Sequence, residues 1–325
     1  MKTNMQNLYP LIYSFYGIYE VVYKQNLHLI ARSIEELAEL ALSRLQKIKR
    51  EKYLQIASEV YEKCKALNLS FIDYYDTSYP PLLKEIYDPP IVLFYKGNKD
   101  LFLKNYVAIV GTRKPSHISR LACHFLPSYL RTKGFEGLVS GMASGIDRAS
   151  MLAALEGDMP VIGVLGTGLD KEYPSSNRDL YEKMNKSNSS LLISEMFYGE
   201  NTNRWSFPRR NRIITGLCSS VYIMEAPAKS GAISSAYHAL SQNRDIYIFT
   251  HPEQKNNAGG EKLLSEGANR VQIENIGSGS EQILHISDLV GEEYCRIPSE
   301  LASVVQKEMQ GKLQNLGDGY YRKAS

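Results

Sequence analysis

Residues 106–113 read Tyr-Val-Ala-Ile-Val-Gly-Thr-Arg, an unbroken apolar run that ends in a glycine and a cation. Further short apolar runs, each followed by a turn and an amphipathic stretch, lie at 138–139, 161–165, 191–193, 221–224 and 246–249. Continuous apolar runs are typical of strands buried on both faces, and their alternation with helices favours a parallel sheet. The sequence therefore predicts an α/β fold, an extended Rossmann-like doubly wound, mainly parallel sheet over 106–279, with ligands at the carboxyl ends of its strands.

The segments that flank this region have different patterns. Residues 1–67 carry apolar side chains at helical spacing and predict a small helical domain of the SAM or helix-hairpin kind. Residues 68–105, punctuated by proline, predict a linker and a lead-in strand. Residues 280–325 predict a short C-terminal tail with one helix near 298–310, because this length leaves little room for a complete further domain.

Composition and cysteine spacing argue against a strongly basic binder of polyanions, a zinc or redox site, and a membrane protein. With 43% hydrophobic residues, 22% charged residues and a net charge of +3, the chain is typical of an ordinary globular protein, so any nucleic-acid affinity must come from local clustering. The four cysteines lie far apart and lack the paired spacing of a zinc or redox site. We expect a cytoplasmic protein without membrane contact, because the N-terminus lacks the order of a signal peptide and no apolar run of about 18 residues could span a bilayer.

The stretch from 201 to 224 has a one-sided charge, with four arginines and no Asp or Glu. The arginines are Arg204, Arg209, Arg210 and Arg212. Guanidinium groups crowded at the start of a predicted helix repel one another, which indicates an anionic ligand, and phosphate fits best. Positions 209, 210 and 212 cannot all share one helical face, so we expect at least one structural arginine, paired with Glu195 or Glu225. The preferred order for ligand contact is Arg210, Arg209, Arg212, with Phe207 and Asn211 beside them.

Small residues follow several predicted strands, where backbone amides can approach an anion closely. The candidate phosphate or DNA contacts in these loops are Gly111, Thr112, Arg113, Gly141, Gly145, Gly166, Gly168, Lys171, Ser230 and Gly231. The loop at 111–116 is not specific by itself, since its spacing is neither a Walker loop nor a complete Gly-x-Gly-x-x-Gly, and a tight turn with solvated cations is the alternative. Lys171 near Tyr173 is the pairing of cation and aromatic used for single strands. Asp147 would repel an adjacent phosphate, so we expect it to cap a helix or to bind a hydroxyl or a base.

The sequence contains no recognisable catalytic set. His117, His124 and His238 have no nucleophile or carboxylate partner at a known spacing, and no serine lies in a nucleophile elbow. We expect no metal and no cofactor. Glu225 is expected in a structural ion pair, or as a group that orients an arginine or accepts from a base amine.

Taken together, these motifs resemble the DNA-processing protein A (DprA, also called Smf) family. Matching pieces occur in the family's order over roughly 79–270, which makes the resemblance very specific. They include Tyr-Pro-Pro-Leu-Leu at 79–83, Val-Ala-Ile-Val-Gly-Thr-Arg at 107–113, Ser-Gly-Met-Ala-Ser-Gly-Ile-Asp at 140–147, Val-Leu-Gly-Thr-Gly-Leu-Asp at 164–170 and Phe-Pro-Arg-Arg-Asn-Arg-Ile-Ile at 207–214.

The resemblance implies a Rossmann-like domain that binds single-stranded DNA, self-associates as a homodimer, and helps load a RecA-type recombinase in natural transformation (competence) or related DNA processing, with no established catalytic reaction. It implies a DNA pocket at Gly111, Arg113, Lys171 and 207–212. Two departures stand out. Ser150-Met151 occurs where family members usually carry Ala-His, and 280–325 looks too short for the winged helix that ends many members.

Two alternatives stay open at this point. An enzyme of the lysine-decarboxylase-like phosphoribohydrolase class has a similar fold and would use Glu225 and Arg210, although the Pro-Gly-Gly-x-Gly-Thr loop of that class is absent. A sensor of a free nucleotide, with DNA binding secondary, is the other alternative.

Overall fold

In this computed structural model, which describes residues 22–45, 47–67, 69–200, 205–271, 283–285, 313–317 and 320–323, the apolar runs build a nine-stranded sheet. Its strands are β1 (Ser70–Asp73), β2 (Val92–Gly97), β3 (Tyr106–Val110), β4 (Gly137–Ser140), β5 (Val161–Val164), β6 (Ser190–Ser194), β7 (Ser220–Ile223), β8 (Asp245–Phe249) and β9 (Asn269–Val271). They lie in the order β1-β2-β6-β5-β4-β3-β7-β8-β9.

The strands from β3 to β9 are parallel to their neighbours, whereas β2 pairs antiparallel with β6 and β1 antiparallel with β2. In the centre of the sheet, Val107 lies opposite Leu138 on one side and Ser220 on the other. All five residues of β3 are buried, as expected for a strand covered on both faces. Each predicted apolar run coincides with one strand to within a residue or so, and the predicted fold class is confirmed.

The chain changes direction across the sheet at β3. Strands β4, β5 and β6 lie on one side of it, and β7, β8 and β9 lie on the other. The loops that follow β3 and β7 therefore diverge and leave a crevice at the carboxyl ends of the strands, which is where ligands bind in doubly wound sheets.

Helices connect the parallel strands and begin at this same edge of the sheet. They are α5 (His117–Thr132), α6 (Ile146–Glu156), α7 (Arg178–Lys186), α8 (Ser206–Gly216), α9 (Gly231–Ser241) and α10 (Ala258–Ser265). The short helix α4 (Pro81–Lys84) lies between the antiparallel strands β1 and β2, and 3-10 turns lie at Lys99–Leu103 and Ser175–Asn177. The arginine-rich helix α8 buries Ile213 and Ile214 in the core. Gly216 near its end permits close packing, because a Cβ there would lie 2.8 Å from Leu83 Cδ1.

The helices whose full bounds lie in the described residues before the sheet are α1 (Leu27–Ile30), α2 (Ile34–Ser43) and α3 (Lys47–Ala66). Ser33 caps α2 by accepting a hydrogen bond from the Glu36 amide, and the Glu36 carboxylate accepts from the Arg32 amide, so two orphan amides are satisfied reciprocally. The buried side chains of these helices belong to the same apolar cluster as those of the sheet. A domain boundary at residue 67 stays a prediction.

The chain divides into two compact units, Met1–Gln272 and Ile273–Ser325. In the second unit the described residues form an antiparallel sheet of β10 (Ile283–His285), β12 (Tyr320–Lys323) and β11 (Leu313–Gly317), with β12 in the middle. The helix expected near 298–310 lies outside the described residues. None of the described helices combines the length and the apolar character needed to cross a membrane.

Candidate functional site

A cavity of about 670 Å³ lies at the crevice between the carboxyl ends of β3 and β7. We call it the switch-point groove. It is lined by the loop after β3, the first turn of α8, and the loop between β7 and α9. The predicted contact residues that line it are Gly111, Thr112, Arg113, Phe207, Arg210, Asn211, Ser230 and Gly231.

The rim of the groove is cationic. Arg113 and Lys114 are exposed after β3, and Lys229 is exposed just before α9. Among the described lining residues the only carboxylate belongs to Asp147, which is buried. Three exposed cations around one cavity favour a ligand with several negative charges. Lys114 and Lys229 were missed in the sequence, although each adjoins a predicted contact.

Glu225 connects the loops that form the groove. Its carboxylate is fully buried and accepts hydrogen bonds from the Ser116 amide (2.8 Å), the Ser116 hydroxyl (2.6 Å) and the Asn256 amide (3.3 Å). Its backbone oxygen accepts from the Thr112 amide at 2.8 Å. The expectation of an arginine partner or a base for Glu225 is therefore wrong, because its carboxylate faces the start of α5 inside the protein.

The contact between Glu225 and Ser116 lies where a dinucleotide cofactor would bind in a Rossmann sheet. Ser116 is the N-cap residue of α5, the helix after the first parallel strand β3. In dinucleotide-binding Rossmann sheets the pyrophosphate lies at the N-terminus of that helix. Here the carboxylate of Glu225 occupies the position, so the anion site used by NAD-type cofactors is already filled.

Asp147 is a second buried carboxylate that accepts from backbone amides, here those of the loop between β4 and α6. It lies in the first turn of α6, and its Oδ2 accepts from the amides of Gly141 (3.1 Å) and Ala143 (3.3 Å). The N-cap residue of α6 is Gly145, so the expectation that Asp147 caps a helix is wrong; its contact with a hydroxyl or a base stays a prediction, since Asp147 lines the groove. The Gly141 amide, expected to contact phosphate, donates to this carboxylate instead.

Arg210, the arginine preferred for ligand contact, is only 7% exposed. Its Nη1 donates to the carbonyl oxygens of Gly141, at 2.6 Å, and of Val164. Burial lowers its pKa to about 10, and the charge of Asp147 opposes that shift. Arg210 therefore lies in the floor of the groove, where it adds positive potential beneath the ligand space.

The other two described arginines of α8 share Glu195, as the sequence predicted for at least one of them. Arg212 is buried: its Nη2 donates to both carboxylate oxygens of Glu195, at 2.7 and 2.8 Å, and its Nε lies 3.1 Å from Asp88 Oδ2. Arg209 is about one-third exposed and reaches Glu195 at 3.2 Å. Arg204 lies outside the described residues.

A small cavity of about 40 Å³ adjoins the groove and supplies its aromatic surface. Phe207 and Tyr173 line it with ring centroids 5.2 Å apart, and Tyr173 is 48% exposed. Gly166 makes room for the Phe207 ring, because a Cβ there would lie 2.6 Å from its Cδ1. Cations beside exposed rings suit a nucleic-acid single strand, whose phosphates follow the charge while its bases stack.

Four predicted contacts, Gly145, Gly168, Lys171 and Arg209, line neither of these cavities. Gly145 has a φ of +81°, and a Cβ on it would lie 2.4 Å from the Thr112 oxygen. A Cβ on Gly168 would lie 2.3 Å from Asp170 Oδ1. The half-buried Lys171 donates to the Glu200 carbonyl oxygen at 3.0 Å. In this structure these residues hold the loops in shape.

Asp147 should also make stability depend on pH. Burial raises its pKa from 3.8 to about 6, with Arg210 pulling in the opposite direction. Because the folded state binds the proton more tightly than the unfolded state, this group lowers stability as pH rises from about 4 to about 6. Relative to Asp147→Asn, the wild type should lose roughly 2 kcal/mol of unfolding free energy across that window. Urea denaturation at several pH values measures the difference, and parallel curves for the two proteins would contradict it.

Comparison with known proteins places this geometry in a family. The family model described as DNA recombination-mediator protein A matches residues 70–280. The DNA processing protein DprA of Streptococcus pneumoniae is 35% identical over 73% of this chain and 82% of that protein. The DNA processing protein DprA of Bacillus subtilis is 38% identical over 59% of this chain and 65% of its own length.

Solved structures agree with these relatives. The X-ray structure of DNA processing protein A from Streptococcus pneumoniae has a TM-score of 0.68 and 31% identity, covering 83% of this chain and 95% of that one. A structure of DNA processing protein A from Helicobacter pylori, described for its single-stranded DNA binding mode, has a TM-score of 0.56 and 28% identity, covering 63% and 91%. Residues 70–280, which the family model matches, include every strand from β1 to β9 and all residues that line the switch-point groove. The chain thus belongs to the DNA recombination-mediator protein A family.

Proposed function

We propose that the chain binds single-stranded DNA in the switch-point groove and acts as a recombination mediator that helps load a RecA-type recombinase. The observation that carries the proposal is a cation-rimmed, ring-bearing groove in which Glu225 fills the anion position at the start of α5 and Asp147 takes up the loop amides of Gly141 and Ala143. A groove closed to a dinucleotide in this way retains charge along its rim, which suits a chain of phosphates. The Helicobacter pylori relative, described for its single-stranded DNA binding mode, supports the assignment.

The proposed path of the strand uses the exposed parts of the site. Arg113, Lys114 and Lys229 bind phosphates, and the open start of α9 at Ser230–Gly231 offers backbone amides, since space around the Gly231 Cβ position is free of other atoms. Phe207 and Tyr173 provide rings for bases. Arg210 contributes its charge from below.

The wider setting is part of the same proposal. Relatives named for DNA processing support a role in DNA uptake, natural transformation or related recombination. We propose that the protein works in the cytoplasm as a homodimer, together with the recombinase, and without catalysing a reaction. Sedimentation with and without oligonucleotide tests the homodimer, and a pull-down with purified recombinase tests the partner.

Salt dependence is the direct test of DNA binding. If three to five phosphates are neutralised, the logarithm of the association constant for oligo-dT should fall with the logarithm of salt concentration at a slope of roughly −2 to −3.5. Fluorescence anisotropy over a salt series measures the slope, with double-stranded DNA of equal length as the comparison. Salt-independent binding, or a preference for the duplex, would contradict the proposal.

The nucleotide-based alternatives are tested separately. In the phosphoribohydrolase alternative Glu225 would act on substrate, but its carboxylate is buried against Ser116 and Asn256. Incubation with nucleoside monophosphates should release no free base. Calorimetry should show affinity rising steeply from mononucleotide to oligonucleotide, whereas a nucleotide sensor would bind the two alike.

A further inference from the structure

A third cavity, of about 470 Å³, adjoins the switch-point groove along the first turns of α9. We call it the α9 cavity. Lys229, Ser230 and Ser234 line both cavities, so the two spaces meet at the start of this helix. The α9 cavity is not needed to explain the groove, and none of the predicted contacts apart from Ser230 lines it.

Tyr237 is the main ring surface of the α9 cavity. Its side chain is 47% exposed. It lies in the middle of an 11-residue helix, whose buried face carries Ala232, Ala236 and Ala239. A large ring left half in solvent on the outer face of a helix contributes little to the core. Such a ring is available for stacking.

The charge around Tyr237 favours an anionic strand. Lys229 is exposed at the border of the two cavities. His238 also lines the α9 cavity, but burial lowers its pKa, so it is neutral at neutral pH and offers an imidazole and not a charge. The pKa of Lys262, on α10, is raised by Glu266 and in second place by Tyr237, so this ammonium lies beside the phenol. Glu266 pairs with Lys262 at 3.4 Å, but no described residue that lines the cavity itself is acidic.

We propose that a single DNA strand leaves the switch-point groove across Lys229 and stacks a base on Tyr237, which makes the α9 cavity a further nucleotide subsite. The inference rests on the proposed function, because it extends the same strand. Continuity of the two cavities at Lys229 provides the path, and the pairing of cation and ring provides the contact used by single-strand binders.

A protein partner is the competing occupant of this surface. Leu240 lies one turn along from Tyr237 and is 67% exposed, as a residue of an apolar interface would be. Leu240 does not line the α9 cavity, whereas Lys229 and His238 do. Depletion of lysine is typical of the core of protein interfaces, so the composition of the cavity favours nucleic acid.

The test compares Tyr237→Ala with Tyr87→Ala on oligo-dT of increasing length. Tyr87 is 87% exposed and lines none of the three cavities, so its replacement is a matched loss of a surface ring. Over lengths of about 4 to 16 nucleotides, Tyr237→Ala should match the wild type on the shortest strands and bind roughly 10-fold more weakly on the longest. Tyr237→Phe should retain wild-type affinity, because it keeps the ring.

The possible outcomes separate the two proposals. Equal affinity of Tyr237→Ala and wild type at every length would overturn the subsite alone. Unchanged DNA affinity together with a loss of self-association or of recombinase pull-down would also overturn it, in favour of a protein contact. Failure of the wild type to bind any oligonucleotide would overturn the proposed function and the subsite with it.

Discussion

Replacing Arg113 and Lys229 together with alanine should weaken binding to oligo-dT roughly 100-fold, because two hydrogen bonds to charged phosphates at about 1.5 kcal/mol each are lost. The two side chains are exposed on opposite walls of the switch-point groove, one after β3 and one after β7. Neither is needed by the fold, so the double variant should unfold at the wild-type temperature.

The salt dependence of the double variant distinguishes the loss of phosphate contacts from an indirect effect of the two substitutions on DNA binding. For a single strand, removing two phosphate contacts should make the slope against salt shallower by about 1.4. A loss of affinity with an unchanged slope would mean that the two residues act indirectly, and the path proposed for the strand would have to move.

The matched control removes two cations from the other edge of the sheet. Lys133 follows α5 and Lys186 ends α7, so both lie where the helices return to the amino ends of the strands, and both are exposed. The Lys133→Ala/Lys186→Ala variant has the same net charge as the groove variant. Its affinity should fall by no more than about 2-fold, since long-range charge effects are screened over roughly 10 Å at moderate salt. Equal losses of affinity in the two variants would indicate a nonspecific charge effect and would contradict DNA binding in the switch-point groove.

The sequence predicted the sheet because each central strand is a continuous apolar run, and a run such as 106–110 has few alternatives to a strand buried on both faces. It also predicted which loops meet, because carboxyl ends of parallel strands share one edge. Arg113, Phe207 and Ser230, far apart in the sequence, line one cavity as a result.

The internal carboxylates could not be predicted, because their partners are distant or depend on loop geometry. Glu225 binds Ser116 across 109 residues of sequence, and no local spacing encodes that pair. Asp147 binds amides only four and six residues away, yet the contact requires the backbone of the loop to fold back on the first turn of α6. Arg210 differs from the exposed Arg113 in being buried. That burial depends on the carbonyl groups of Gly141 and Val164, to which its side chain donates.

The three described arginines of α8 also could not be assigned to their roles from the sequence. Their shared positive charge pointed to an anion, and the structure distributes them over three positions. Arg210 lies in the groove floor, Arg209 is partly exposed, and Arg212 is enclosed by two carboxylates. A run of like charges in sequence therefore gives no count of ligand contacts until each partner is known.

Arg212→Ala should destabilise the fold by about 3 kcal/mol or more, because removing one member of a buried ion pair leaves its partners without compensation. Arg212 is 3% exposed and ties α8 both to Glu195, just after β6, and to Asp88, in the segment before β2. Its loss would release the start of the arginine helix, including Phe207, from the rest of the sheet. Urea denaturation measures the change in unfolding free energy.

Arg209→Ala is the matched control for this prediction, since it removes the same charge from the same helix and the same partner, Glu195. Its side chain is 32% exposed, and solvent screens such pairs, so the expected cost is below about 1 kcal/mol. The milder variant Arg212→Lys should recover only part of the loss, because an ammonium offers one nitrogen where Arg212 uses two, Nη2 for Glu195 and Nε for Asp88. If Arg209→Ala and Arg212→Ala cost the same, the buried contacts of Arg212 would not hold α8 in place, and the position of Phe207 would need another cause.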